Sequence, residues 1–112
     1  MLQDATDDHL DDVFHALSNR TRRALLRSLA DGPARVGELA EPHGLSVSAI
    51  SKHLFVLERA GLIRRSRSGH VQSCVLDAGP MADADAWLGI YRTFWNGKLD
   101  RLADFVESGG DR

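Results

Sequence analysis

The stretch from Gly44 to Asp77, GLSVSAISKHLFVLERAGLIRRSRSGHVQSCVLD, constrains the fold more than the rest of the chain together. Ser46 is a suitable N-cap, because its hydroxyl can accept one of the backbone N–H groups left unpaired at a helix start. Ile50, Leu54, Leu57 and Gly61 then recur at helical spacing, which turns that face inward. With about 100° of turn per residue, Ser48, Lys52, Phe55 and Arg59 fall on the opposite side, with Ser51 at its edge. Gly61 ends the helix as a residue that tolerates the left-handed conformation. Leu62 to Ser66 suit a short strand and Val71 to Leu76 a second, with Arg67-Ser68-Gly69-His70 supplying turn chemistry between them.

A helix face beside a basic hairpin suits the DNA duplex, whose major groove admits the helix and whose phosphates attract the hairpin. The expected contacts are Ser46, Ser48 and Ser51, whose hydroxyls can meet base edges or phosphates, Lys52 as a charge, and Val47 against a thymine methyl. Arg64, Arg65, Arg67 and His70 form the expected basic tip of the wing. Taken singly, the helix could have a merely solvated polar face, and the hairpin an edge guarded by charge against aggregation. Their adjacency favours DNA. The rival is a protein-interaction module that docks a protein partner through the same fold and the aromatic C-terminal helix.

A net charge of −2 over 112 residues is unusual for a DNA binder until it is divided along the chain. Residues 1–12 carry five aspartates and no lysine or arginine, whereas residues 46–70 carry five basic residues against Glu58 alone. Local charge governs duplex binding, because salt screens beyond about 8 to 10 Å. The positive charge sits on the proposed reading unit.

The remaining pattern is mainly helical. A first helix is expected from about Asp8 to Leu17, with Leu10, Val13, Phe14 and Leu17 on one face and aspartates near its positive end. Asn19 is a plausible N-cap for a second helix through Ala30, with Leu25, Leu26 and Leu29 as its core stripe. Its arginines, Arg20, Arg22, Arg23 and Arg27, are expected on a solvated or salt-bridged face. A short third helix spans Val36 to about Pro42, and Gly44 makes the turn into the reading helix. Pro80 suits the start of a long last helix at 81–107. That helix holds five of the seven aromatics, Trp87, Tyr91, Phe94, Trp95 and Phe105. An apolar surface of that breadth marks a partner. The expected dimer interface is Trp87, Tyr91, Phe94, Trp95, Leu99 and Leu102; part of the aromatic set should face the chain's own core, leaving Tyr91 and Trp95 for the partner.

These residues resemble the winged helix-turn-helix of the ArsR/SmtB family of bacterial transcriptional regulators. Leu17 to Leu26 is similar to that family's second helix, Val36-Gly37-Glu38-Leu39-Ala40 to the first helix of the helix-turn-helix, and Ser46 to Leu54 to its recognition helix. Leu57-Glu58-Arg59-Ala60-Gly61-Leu62-Ile63 resembles the approach to the wing. The resemblance runs from about residue 10 to 106. It implies a homodimer that binds a double-stranded DNA operator, usually as a repressor, with its dimer helix at the C-terminus. Many relatives release DNA on a metal or other signal. Metal-sensing members carry a cysteine pair in the third helix, where Glu38-Leu39-Ala40-Glu41 has none, or late histidines, where none follows His70. No metal, cofactor or familiar effector site is therefore expected. Many relatives carry tyrosine late in the second wing strand, where this chain has Cys74.

The expectation is a single domain over 1–112, mainly α with a small β-hairpin wing and about five helices, with residues 1–7 and 108–112 disordered. The reading unit is the helix 46–60 with the basic wing 64–70, acting on a palindromic operator. Histidines at 9, 15, 43, 53 and 70 show no nucleophile–base spacing, and Cys74 is a lone thiol on a strand, so no enzyme is expected. His53 is expected to be a hydrogen-bonded structural histidine. With no apolar run near the ~20 residues of a membrane span and an acidic N-terminus unlike a signal peptide, the expected location is the cytoplasm.

Overall fold

Short polar side chains set where two of the helices begin. In the computed structural model, which describes residues 2–107, Asn19 Oδ1 accepts from the amides of Thr21 and Arg22 at 2.9 and 3.1 Å. Ser46 Oγ accepts from the Ala49 amide at 3.1 Å. These satisfy N–H groups that a helix start leaves unpaired. The order is α1 (Leu2–Leu17), α2 (Arg20–Ala30), β1 (Ala34–Arg35), α3 (Val36–Ala40), a 3-10 turn (Glu41–His43), α4 (Val47–Arg59), β2 (Ile63–Ser68), β3 (Val71–Leu76) and α5 (Gly79–Glu107).

Stop signals are as local as starts. At the end of α4 the Leu62 amide reaches the Leu57 carbonyl at 3.0 Å and the Gly61 amide reaches Glu58 at 2.9 Å. Gly61 has a φ of 77°. This double bond around a left-handed glycine redirects the chain from helix into wing, with Leu57 and Leu62 both fully buried at the corner. A Cβ on Gly61 would come within 3.3 Å of Pro80, so the glycine also lets the start of α5 approach. Asp77 Oδ1 accepts from the Gly79 amide at 3.0 Å and closes the turn into α5.

The wing is tighter than expected, and the sheet is wider. Ser68 pairs with Val71, leaving a two-residue turn, Gly69-His70, in place of the four-residue stretch from Arg67. Gly69 has a φ of 63° while no non-glycine residue has a positive φ among those described, an arrangement that matches hairpin turns with glycine at the first central position. A third strand was not expected: Ala34 pairs with Cys74 and Arg35 with Ser73, giving the antiparallel order β1-β3-β2. Two residues are too short to show alternation, so only the partner strand reveals them.

Leu25, Ile50, Leu54, Leu57, Leu62, Ile63, Val13 and Cys74 are fully buried. The inward stripes of α2 and α4 lie in that core as expected. Three boundaries differ. Helix α1 begins at Leu2, earlier than Asp8. Pro42 lies in the 3-10 turn after α3. Helix α5 begins at Gly79 rather than 81, because Asp77 closes the preceding turn. Met1 and the tail at 108–112 lie outside the described residues.

The last helix departs most from expectation. Of α5 only Ala84 is buried. Trp87, Tyr91, Phe94 and Trp95 are 42, 44, 59 and 46% exposed, so none of the four enters the chain's own core. Trp87 rests edge-on against Phe14 of α1, centroids 5.7 Å apart, and Tyr91 lies against Trp87 at 5.2 Å. At about 1.5 Å per residue a 29-residue helix outruns the small domain beneath it.

Candidate nucleic-acid interface

The reading unit is assembled by two corners. The Ser46 cap fixes the start of α4, and the glycine corner at Gly61 fixes the angle at which the wing leaves it. Because Ile50, Leu54 and Leu57 are buried, the helix can show only its other side to solvent. That side carries Ser46, Val47, Ser48 and Lys52, all exposed, with Ser51 half-buried at the edge. Val47 is 54% exposed, an apolar side chain held in water at the first turn of the helix. A thymine methyl is a suitable partner for such a group.

Strand register separates the wing arginines. Arg64 pairs with Val75, Arg65 with Cys74 and Arg67 with Gln72, so Arg65 stands on the face that holds the buried Cys74. Its Nε lies 3.6 Å from Glu58 Oε1, with the Arg65 side chain 21% exposed. Arg65, one of the residues expected at the basic tip, joins the wing to the last turn of α4. Alternation along a strand makes this unavoidable, since Ile63 is buried and residue 65 must follow it inward. Arg64, Arg67 and His70 remain exposed. Arg67 Nε donates to the Gly69 carbonyl at 3.2 Å, which steadies the turn while the rest of the guanidinium stays in water. Arg65, Arg67, Ser66, Gln72 and Glu58 line a shallow polar cleft between wing and helix.

The α2 arginines do not all lie where the sequence suggested. Arg22 is buried, 8% exposed. It donates from Nε to the Ala16 carbonyl at 2.8 Å and from Nη2 to the His15 carbonyl at 2.9 Å. Arg23 Nη1 donates to the Leu17 carbonyl at 2.8 Å. The last carbonyls of a helix lack partners within it, and here Ser18 and two arginines supply them. Arg22 Nη1 also lies 3.4 Å from His53 Nδ1, which gives His53 the hydrogen-bonded structural role expected of it. Burial first, then Arg22 and His43, hold its imidazole below the ordinary histidine range.

Cys74 is 1% exposed. Burial pushes its thiol up, Arg65 draws it back in part and Glu58 adds to the rise, the opposite of what a reactive thiolate needs. Among the described residues no group of three or more His, Cys, Asp or Glu side chains is placed to hold a metal ion. No helix there is long and apolar enough to cross a membrane. Sequence reasoning gave Phe55 no role, yet it is 53% exposed between Lys52 and Arg59; its place on the outer helix face was the available signal.

The second surface is the projecting part of α5. Trp87, Tyr91, Phe94, Trp95, Leu99 and Leu102 are all exposed. Placed around the helix at about 100° per residue, they fall within one broad arc. Beside its base, Leu10 and Phe14 of α1 and Trp87 line a groove of about 370 Å³ rimmed by Asp7 and Asp11.

Comparison with known proteins agrees with this geometry. Residues 19–65, from the α2 cap to the middle of β2, match the family model described as bacterial regulatory protein, arsR family. The HTH-type transcriptional regulator Rv2034 of Mycobacterium tuberculosis is 37% identical over 90% of this chain and 92% of its own length. The transcriptional repressor SdpR of Bacillus subtilis is 33% identical over 70% of this chain and 88% of its own. A solution structure of the homodimeric winged helix-turn-helix DNA-binding domain Mb0332 from Mycobacterium bovis superposes with a TM-score of 0.64 at 25% identity, covering 98% of this chain and 92% of that one. These relatives are regulators rather than enzymes, and they disfavour a protein-docking role for the winged helix.

Proposed function

This chain belongs to the ArsR family of bacterial regulatory proteins, a winged helix-turn-helix transcriptional regulator, and we propose that it acts in the cytoplasm as a homodimeric repressor of a near-palindromic operator. Ser46, Val47, Ser48, Ser51 and Lys52 enter the major groove, and Arg64, Arg67 and His70 follow the adjacent backbone. The observation that carries this reading is the polar, basic side of α4 left in solvent beside the two exposed wing arginines, while Arg65 and the apolar side are occupied within the chain. Two copies joined through α5 place two such helices roughly 34 Å apart, one turn of duplex, and so favour a two-fold site. Bound there, the dimer blocks access to the same stretch of DNA. The named repressor among its relatives supports that sign of regulation.

Duplex affinity measured by fluorescence anisotropy across a salt series tests the placement. Lys52→Ala and Arg67→Ala should each weaken binding and lower the salt slope by about one, as loss of one phosphate contact does. Ser48→Ala should instead change preference among sequences selected from a random pool. Unaltered affinity and slope in both charge variants would remove α4 and the wing from the interface.

A further inference from the structure

We propose that Arg22 is a positioning residue for DNA binding, tying the reading helix α4 through His53 to the α1–α2 corner, and that a proton on His53 breaks the tie and weakens DNA binding. The inference rests on the reading of α4 as the groove-binding helix.

Arg22 sits on α2 yet spends its guanidinium on two other helices. Nε and Nη2 hold the Ala16 and His15 carbonyls in the last turn of α1, at 2.8 and 2.9 Å. Nη1 meets Nδ1 of His53, the residue after Lys52 on α4, at 3.4 Å. A guanidinium only donates, so His53 Nδ1 must accept, and the neutral ring carries its proton on Nε2. Ala16 of α1, Leu25 of α2, and Ile50, Leu54 and Leu57 of α4 belong to one apolar core cluster. Apolar burial is non-directional and resists a small rotation of α4 weakly, whereas the bond to His53 has a direction. At the ~5 Å radius of a helix with its side chains, a rotation of about 20° moves a tip by about 2 Å. Since Ser48 and Lys52 ride on the same cylinder as His53, that rotation would take them out of hydrogen-bond range of DNA.

A proton on Nδ1 turns the acceptor into a donor and sets two cations face to face. The charged groups that bear on His53 are Arg22 of α2 and His43 of the 3-10 turn, and each disfavours a proton on its ring. From α1 the pair meets main-chain carbonyls, while the Asp12 and His15 side chains lie along the neighbouring cleft with Phe55 and Arg59. Burial and Arg22 favour the neutral ring, so the tie holds at neutral pH and is released as pH falls below the ordinary histidine range.

The test compares one duplex at about pH 7.5 and about pH 5.5, reading the ratio of affinities within each protein by anisotropy, with circular dichroism and sedimentation as controls. The same change of pH acts on the rest of every variant, so a comparison of ratios isolates His53. The unaltered protein should lose more affinity on acidification than His53→Gln, whose amide oxygen accepts from Arg22 without titrating, by a factor below the roughly tenfold that an imidazole of ordinary pKa would give over these two pH units. Arg22→Lys, which cannot span all three acceptors, should bind more weakly at neutral pH and show little of this loss. In nuclear magnetic resonance spectra of the free protein, the Ser48 and Lys52 amide shifts should follow the titration of His53. Equal affinity ratios in the unaltered protein and His53→Gln, or a proton found on Nδ1 at neutral pH, would overturn this inference and leave the DNA reading intact. Absence of salt-sensitive duplex binding by the unaltered protein at neutral pH would remove both.

Discussion

Replacing Tyr91 and Trp95 with alanine should convert dimer to monomer at concentrations where the unaltered protein is paired. The two rings are 44 and 46% exposed in the single chain, and neither belongs to the core cluster. With about 200–250 Å² for a whole large aromatic side chain, those fractions leave roughly 200 Å² of ring per protomer to be covered. A two-fold interface counts each residue twice, so about 400 Å² is at stake, an upper bound near 10 kcal/mol at about 25 cal/mol per Å². Association transmits only part of such a sum, because it opposes lost rotational and translational freedom. A third of it, about 3 kcal/mol, already raises the dissociation constant on the order of 100-fold. Sedimentation velocity over a concentration series reads this directly, and circular dichroism reports whether the helix survives. Tyr91 also packs on Trp87, so Trp95→Ala alone is the cleaner arm, with about half the free-energy effect. A Trp95→Ala, Tyr91→Ala protein that pairs as tightly as the unaltered one would show that the projecting part of α5 is not the dimer surface. Operator binding should fall along with pairing, since a single winged helix reaches one half-site.

Further outcomes follow from the local chemistry. Ser46→Ala removes the acceptor for the Ala49 amide and should lower stability by about 1 kcal/mol in urea unfolding, with weaker duplex binding because the first turn of α4 carries Val47 and Ser48. Cys74, buried with its thiol pushed up, should react with a thiol reagent only at the rate of unfolding, Cys74→Ser should leave DNA affinity unaltered by oxidant or its absence, and zinc added to the protein and then dialysed away should leave no stoichiometric metal and no change in operator affinity.

How much of this was legible in the sequence depends on whether a signal was local. Caps and corners were. Ser46, Asn19 and Gly61 act on amides and carbonyls within five residues of themselves, so their chemistry can be read from the chain order alone, and the helices they bound lie where expected. The stripe Ile50, Leu54, Leu57 was legible for the same reason, since a period of 3.6 fixes one face whatever it packs against. Strand β1 was not, because two residues show no period and Ala34-Arg35 is a strand only by its pairing with Ser73 and Cys74. Nor could breadth of apolar surface on α5 say how the aromatics divide between the chain's own core and a partner; the structure assigns none of Trp87, Tyr91, Phe94 and Trp95 to the core.

Arginines mark the limit most clearly. Arg64, Arg65 and Arg67 are alike as letters, yet the pleat that buries Ile63 sends Arg65 inward to Glu58 and leaves Arg64 in water. Arg20, Arg22, Arg23 and Arg27 all lie on one helix, and a solvated or salt-bridged face was expected for all four. What draws Arg22 inward is a pair of backbone carbonyls at the end of α1, those of His15 and Ala16, together with a neutral imidazole from α4. Every helix end offers such carbonyls, and nothing in residue spacing says which distant cation will take them. A buried arginine can thus be neutralised by dipoles rather than by an acid. For that reason, charge counting along the chain finds the basic surface of α4 and the wing but overlooks the cation buried behind it.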